Sequence, residues 1–120
     1  MSELLLIDDD QELCELLSSW LSQEGFQVRA CHDGQSARKA LAETAPAAVV
    51  LDVMLPDGSG LEIGRGMSTL ASRPRLIALS GYGRPSDVAA SQEAGFDVHL
   101  VKPINETDLL RAVDAAPVSS

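Results

Sequence analysis

Five short apolar runs, each followed by a stretch of helical spacing, set the fold class of this 120-residue chain. The clearest is Ala47–Asp52 (AAVVLD), nearly continuous in apolar residues and closed by a carboxylate. A strand with one wet face alternates apolar and polar residues. A run without alternation suits a parallel strand covered by helices on both faces. Leu4–Asp8, Gln27–Cys31, Arg75–Ser80 and Val98–Val101 are the other strand candidates. Leu13, Leu16, Leu17, Trp20 and Leu21, spaced by three and four, mark one face of a first helix, and Gly25 follows as its stop. Asp33 can cap a second helix with Ala37, Ala40 and Leu41 on one side, ended by Pro46. Pro56-Asp57-Gly58-Ser59-Gly60 reads as a loop. Leu61–Leu70 follows as a weaker helix, because Gly64 and Gly66 lower its propensity. Pro85 can open a fourth helix that stops at Gly95. Asn105 can cap a fifth, with Leu109, Leu110 and Val113 inward. Strand then helix, five times, predicts a parallel α/β sheet with right-handed crossovers and helices on both faces. Closure into a barrel takes about eight such units, so the sheet is expected to be open. The length fits one domain, over residues 1–116, with Pro117–Ser120 as a frayed tail.

Composition narrows the partners. A net charge of -9 repels phosphate backbones, so direct binding of nucleic acid is not expected. Part of that charge fits a local carboxylate cluster that a cation would neutralise. Aromatics are only 3% of the chain, so Leu, Val, Ile and Ala must fill the core. No apolar run is long enough to span a membrane, and the start of the chain lacks a signal-peptide pattern. Cys14 and Cys31 have neither metal-ligand nor redox spacing and read as reduced thiols. These features together predict a cytoplasmic protein without membrane insertion.

Open α/β sheets bind ligands beyond the carboxyl ends of their strands. The first strand ends in Asp8-Asp9-Asp10, the third in Asp52, the fourth in Ser80 and the fifth in Lys102. Crowded carboxylates raise one another's pKa, and a hard dication resolves the conflict. Magnesium takes oxygen ligands and keeps several waters, so aspartates plus a main-chain carbonyl suit it. Lys102 adds positive charge and Ser80 a neutral donor, a set of parts for stabilising a phosphoryl group in transfer. Asp52, at the end of the central run, is the candidate nucleophile, since carboxylates form aspartyl phosphates. Asp8 and Asp9 are the candidate Mg2+ ligands.

LLIDDD at the start, LDVMLPDGSGLE around Asp52, IALSGYG at Ser80 and GFDVHLVKPI at Lys102 occur in one order and spacing. With them the chain resembles the receiver domains of bacterial response regulators, from Leu4 to about Ala115. The resemblance implies a flavodoxin-like three-layer sandwich with strand order 2-1-3-4-5 and five helices. It implies that Asp52 is the phosphorylation site, Asp9 a direct Mg2+ ligand, Asp8 a ligand directly or through water, and the Met54 backbone carbonyl a third. Ser80 would be the switch hydroxyl and Lys102 the partner of the phosphoryl oxygens, with a cis Lys102-Pro103 peptide. The phosphodonor would be a histidine kinase or a histidine phosphotransfer protein, and the face of the fourth helix, fifth strand and fifth helix would signal to a downstream protein. The aromatic switch position of the family is His99 here. The GYG after Ser80 and the HLVKPI ending are similar to receivers attached to hybrid histidine kinases.

Plainer readings exist for each residue alone. The Asp8–Asp10 run could be a solvated cap of the first helix, Lys102 a surface lysine and Ser80 a strand end. In register with Asp52 they fit one site better. His32 reads as a solvated loop residue, Trp20 as core, and Cys14 and Cys31 as bystanders. His99 has no second histidine or cysteine at ligand spacing. Two other functions compete with phosphorelay signalling. One is a pseudo-receiver that binds partners unphosphorylated, against which the full set of site residues argues. The other is a magnesium-dependent aspartyl phosphohydrolase. Many of those place a general-acid aspartate two residues after the nucleophile, where this chain has Met54.

Overall fold

The computed structural model describes residues 3–56, 58–70 and 73–114. Asp57, the boundary at 116 and the tail Pro117–Ser120 lie outside them. The elements run β1 (Glu3–Ile7), α1 (Gln11–Gln23), β2 (Gln27–Cys31), α2 (Gly34–Glu43), β3 (Ala48–Asp52), β4 (Met54–Leu55), β5 (Gly58–Ser59), α3 (Gly60–Ser68), β6 (Arg75–Ser80), α4 (Pro85–Glu93), β7 (Val98–Val101) and α5 (Glu106–Asp114). The long strands form one parallel sheet in the order β2-β1-β3-β6-β7. Among those five strands this is the flavodoxin-like order 2-1-3-4-5. β3 lies in the middle and is buried at every residue, which is why its sequence shows no alternation.

Side chains of a strand point alternately to opposite faces. Leu5, Ile7, Val49, Leu51, Leu76 and Ala78 therefore meet Ala37 and Ala40 of α2 and Ile63 and Met67 of α3 on one side. Leu4, Leu6, Val50, Ile77 and Leu79 meet Leu17 and Leu21 of α1 and Leu109 and Val113 of α5 on the other. Gly64 serves this packing: a Cβ there would run into the Phe96 ring, so the residue that weakens α3 lets it approach the sheet.

Punctuation follows the chemistry of helix ends. Asp10 and Asp33 accept hydrogen bonds from Leu13 N at 3.1 Å and Ser36 N at 2.8 Å and cap α1 and α2. Gly25 and Gly95 close α1 and α4 with φ of +95° and +99°. Two details differ from the expectation. The loop predicted at 56–60 is partly a hairpin, with Met54 opposite Ser59 and Leu55 opposite Gly58, and α3 starts at Gly60 and ends at Ser68. On α1 the buried stripe is Cys14, Leu17 and Leu21, while Leu16 is 46% exposed and Trp20 half-buried. A helix turns about 100° per residue, so Leu16 falls outside the stripe centred between Leu17 and Leu21. α4 differs from the other helices in having one fully buried residue, Ser91. No described helix is long and apolar enough to cross a membrane.

Both thiols are buried, and burial raises them above the ordinary thiol range, Cys14 up to about 12. Neither should react with Ellman's reagent in the native protein at pH 8, and both should react at once in denaturant; rapid native reaction of Cys14 would contradict this packing. Leu6 is fully buried between β1 and the α1/α5 layer. Leu6→Ala should cost about 2–5 kcal/mol, read from the urea midpoint.

Candidate functional site

β1, β3, β6 and β7 end along one edge of the sheet, and their last residues form the site. Asp8 follows β1, Asp52 and Ser80 end β3 and β6, and Lys102 follows β7. Strand register fixes their spacing, since Asp52 pairs with Leu79 and Ser80 with Val101. The ladder continues one step beyond, where Lys102 N donates to the Ser80 carbonyl at 2.8 Å. The Lys102-Pro103 peptide is cis, and Ile104 beyond it is buried in the core.

Lys102 Nζ stands between two carboxylates. It donates a hydrogen bond to Asp52 Oδ2 at 3.0 Å. It also lies 3.0 Å from Asp8 Oδ2, a charge contact without hydrogen-bond geometry, so this buried oxygen has no hydrogen-bond partner. The other oxygens are held by backbone. Asp52 Oδ1 accepts from Met54 N at 2.8 Å, and Asp8 Oδ1 accepts from Asp10 N at 2.9 Å. Asp8 is fully buried and Asp52 is 5% exposed, whereas Asp9 is exposed at the rim.

Burial pushes the Asp8 carboxyl above its ordinary range, and the Asp52 charge adds to the rise. The Asp10 N–H and Lys102 oppose it without cancelling it. For Lys102, burial alone would lower the ammonium, but Asp8 and Asp52 outweigh that and hold it above its ordinary range. One oxygen each of Asp8, Asp9 and Asp52 lies within 4.8 Å of the others. This set is all oxygen, negatively charged and open to solvent at Asp9, and one of its buried oxygens has no hydrogen-bond partner. Those are the properties of a seat for a hard divalent cation.

Ser80 is buried, and its hydroxyl is hydrogen-bonded to the main chain of Tyr82. Ser80 Oγ donates to the Tyr82 carbonyl at 2.9 Å and accepts from Tyr82 N at 2.9 Å. His99 shares that acceptor, with Nε2 at 3.2 Å from the Tyr82 carbonyl and Nδ1 at 2.9 Å from Ser91 Oγ. A carbonyl only accepts, so Nε2 carries the hydrogen. Ser80, the 80s loop, His99 and α4 are thus linked through hydrogen bonds. Beside them lies a cleft of about 120 Å³ whose walls include Val53, Leu61 and Ala90. Met54, at its rim, is 69% exposed.

Asp8, Asp9, Asp52, Ser80 and Lys102 lie at this edge, whereas His99 sits within β7 opposite Ala78 and is linked to the edge through the Tyr82 carbonyl. His32, expected as a solvated loop residue, is instead half-buried with its Nδ1 3.0 Å from the Asp8 carbonyl. Only the pairing of β1 with β2 reveals that contact.

Comparison with known proteins agrees with this geometry. The sequence matches the response regulator receiver domain family over residues 4–114. It is 40% identical over 115 residues to the transcriptional regulatory protein GltR of Pseudomonas aeruginosa, covering 93% of this chain and 47% of that protein. The chain spans about half the length of the curated relatives it matches. Among solved structures, the BeF3-activated receiver domain of DrrB from Thermotoga maritima superposes with a TM-score of 0.88 at 34% identity, covering 96% of each chain. A response regulator of Burkholderia pseudomallei, solved with a phosphorylated aspartic acid, calcium and citrate, gives a TM-score of 0.87 at 26% identity over 94% of this chain and 66% of that one. By its family match, its sheet order and the aspartates, serine and lysine at its strand ends, this chain belongs to the receiver domains of two-component response regulators.

Proposed function

We propose that this domain accepts a phosphoryl group on Asp52 from a phosphohistidine donor, with Mg2+ held by Asp8, Asp9, Asp52 and the Met54 backbone carbonyl. The observation that carries the reading is the position of Lys102 Nζ, 3.0 Å from a carboxylate oxygen of both Asp8 and Asp52. The phosphorylated aspartate of the Burkholderia protein and the BeF3-activated form of DrrB are consistent with it.

A carboxylate oxygen of Asp52 attacks phosphorus while the phosphorus–nitrogen bond of the donor breaks, its electron pair returning to the donor imidazole. The ammonium of Lys102 offsets the charge on the transferring oxygens. Bound Mg2+ supplies further positive charge to those oxygens and relieves the crowding of the aspartates. Ser80 then trades the Tyr82 carbonyl for a phosphoryl oxygen. That exchange loosens the acceptor it shares with His99 and lets the ring move with α4, so the α4-β7-α5 face presents a different surface to a downstream protein. The donor is a histidine kinase or a histidine phosphotransfer protein. No outside substrate is turned over, because Met54 has no proton to give at the position a general acid would need. The charge of -9 makes this domain's own contacts ones with protein and not with nucleic acid. The domain spans residues 1–116 and works in the cytoplasm.

Incubation with Mg2+ and acetyl phosphate should add one phosphoryl group to the parent by intact mass, and none to Asp52→Asn. An unmodified parent would defeat the reading and leave an interaction module that is not phosphorylated. A second outcome follows from the electrostatics. Burial and the Asp52 charge disfavour the ionised form of Asp8, so holding that charge costs the fold stability. Asp8→Asn keeps an acceptor for Asp10 N and removes that penalty. Its thermal midpoint in EDTA should therefore lie a few degrees above the parent's, while the rise that Mg2+ gives the parent disappears.

A further inference from the structure

The ladder between β1 and β2 ends at the Ile7–Cys31 pair, with one more bond from Asp8 N to the Cys31 carbonyl at 3.0 Å. In a continuing parallel ladder the Asp8 carbonyl would accept next from the main-chain N–H two residues beyond Cys31. Asp33 occupies that position but has left the strand to cap α2. The His32 ring takes the place of the missing amide, with Nδ1 3.0 Å from the Asp8 carbonyl. Since the carbonyl can only accept, Nδ1 is the protonated nitrogen. Cys14 Sγ lies 3.4 Å from the same carbonyl, a weaker donor. Asp8 is thus gripped from the β2 side at both its main-chain groups, at the N–H by main chain and at the carbonyl by a side chain.

We infer that His32 is a positioning residue for the divalent-cation site. Its Nδ1–H fixes the carbonyl of Asp8 and so sets the directions in which the Asp8 and Asp9 carboxylates leave the chain. The inference rests on the metal reading above and adds a residue to it. Asp8 and Asp9 lie at a strand-to-helix junction, where a freed carbonyl lets the peptide rotate and carries Asp9 away from Asp8 and Asp52. Hydrogen-bond partners behind metal ligands typically change affinity 10- to 100-fold when removed.

Two variants of the full chain separate the hydrogen bond from the bulk of the ring. His32→Phe keeps a ring and has no donor; His32→Asn keeps an N–H at the place of Nδ1 and loses the ring. Mg2+ titration by calorimetry should show His32→Phe binding about 10-fold or more weaker than the parent, and His32→Asn recovering most of the loss. Equal affinity of His32→Phe and the parent overturns the inference, as does a His32→Asn variant as weak as His32→Phe. A readout without metal is the tautomer of His32, from a long-range 1H–15N spectrum of the parent. The Nδ1–H form is expected, and an Nε2–H form overturns the inference. A parent that takes up no Mg2+ overturns the metal reading itself, whereas a parent that binds alongside an equally good His32→Phe overturns only the role of His32.

Discussion

One ammonium between two buried carboxylates organises this molecule. Asp8 and Asp52 are almost wholly removed from water, and each charge so placed is penalised unless it is paired. Lys102 supplies the pairing, and it reaches the site from the far side of the sheet, with β3 and β6 between it and β1. Three separate strands must therefore keep their register and depth for one contact to survive. The apolar layers beneath do that work. Leu5, Ile7, Val49 and Leu51 lock β1 and β3 against α2 and α3, while Leu4, Leu6, Val50 and Leu79 lock the same strands and β6 against α1 and α5. The strand ends are left no freedom to spread and relieve the charge, so the repulsion remains available to a cation.

Much of this could be read from the sequence, because strands with two covered faces carry an unbroken apolar run and its last residue falls where ligands bind. Asp52 and Ser80 are each the first polar residue after such a run, and Asp8 opens the acidic end of another; Lys102 instead follows the edge strand Val98–Val101, which His99 interrupts. The starts and stops of the other helices were equally plain, since caps and stops act locally, whereas α3 begins and ends earlier than expected. The misplaced details depend on angle or register. Leu16 matched a spacing of three and four but sits too far around α1 to reach the core. The Met54–Ser59 pairing needed cross-chain geometry that turn residues alone do not reveal.

His32 is the sharper case. Nothing local distinguishes it from a solvated histidine. Its partner lies 24 residues earlier and becomes available only because Asp33 prefers to cap a helix over extending a strand. A demand created by one element is met by the side chain beside the residue that created it. Such contacts lie in the pairing of strands, and a single sequence does not display that pairing.

The sparse anchorage of α4 bears on the sharpness of the response. Apolar packing falls off gradually as surfaces separate, so a helix held that way can creep through a continuum of intermediate positions. α4 buries Ser91, whose hydroxyl lies within hydrogen-bond distance of His99 Nδ1 and of the Val88 carbonyl and can donate to one of them at a time, and keeps its other side chains at or near the surface. Hydrogen bonds weaken steeply with angle and distance. A helix held in part by such a bond has fewer resting places between seated and released. On the switching proposed above, the domain would behave less like a dial than like a click-stop, and a graded input would be rendered downstream as a proportion of molecules in each position.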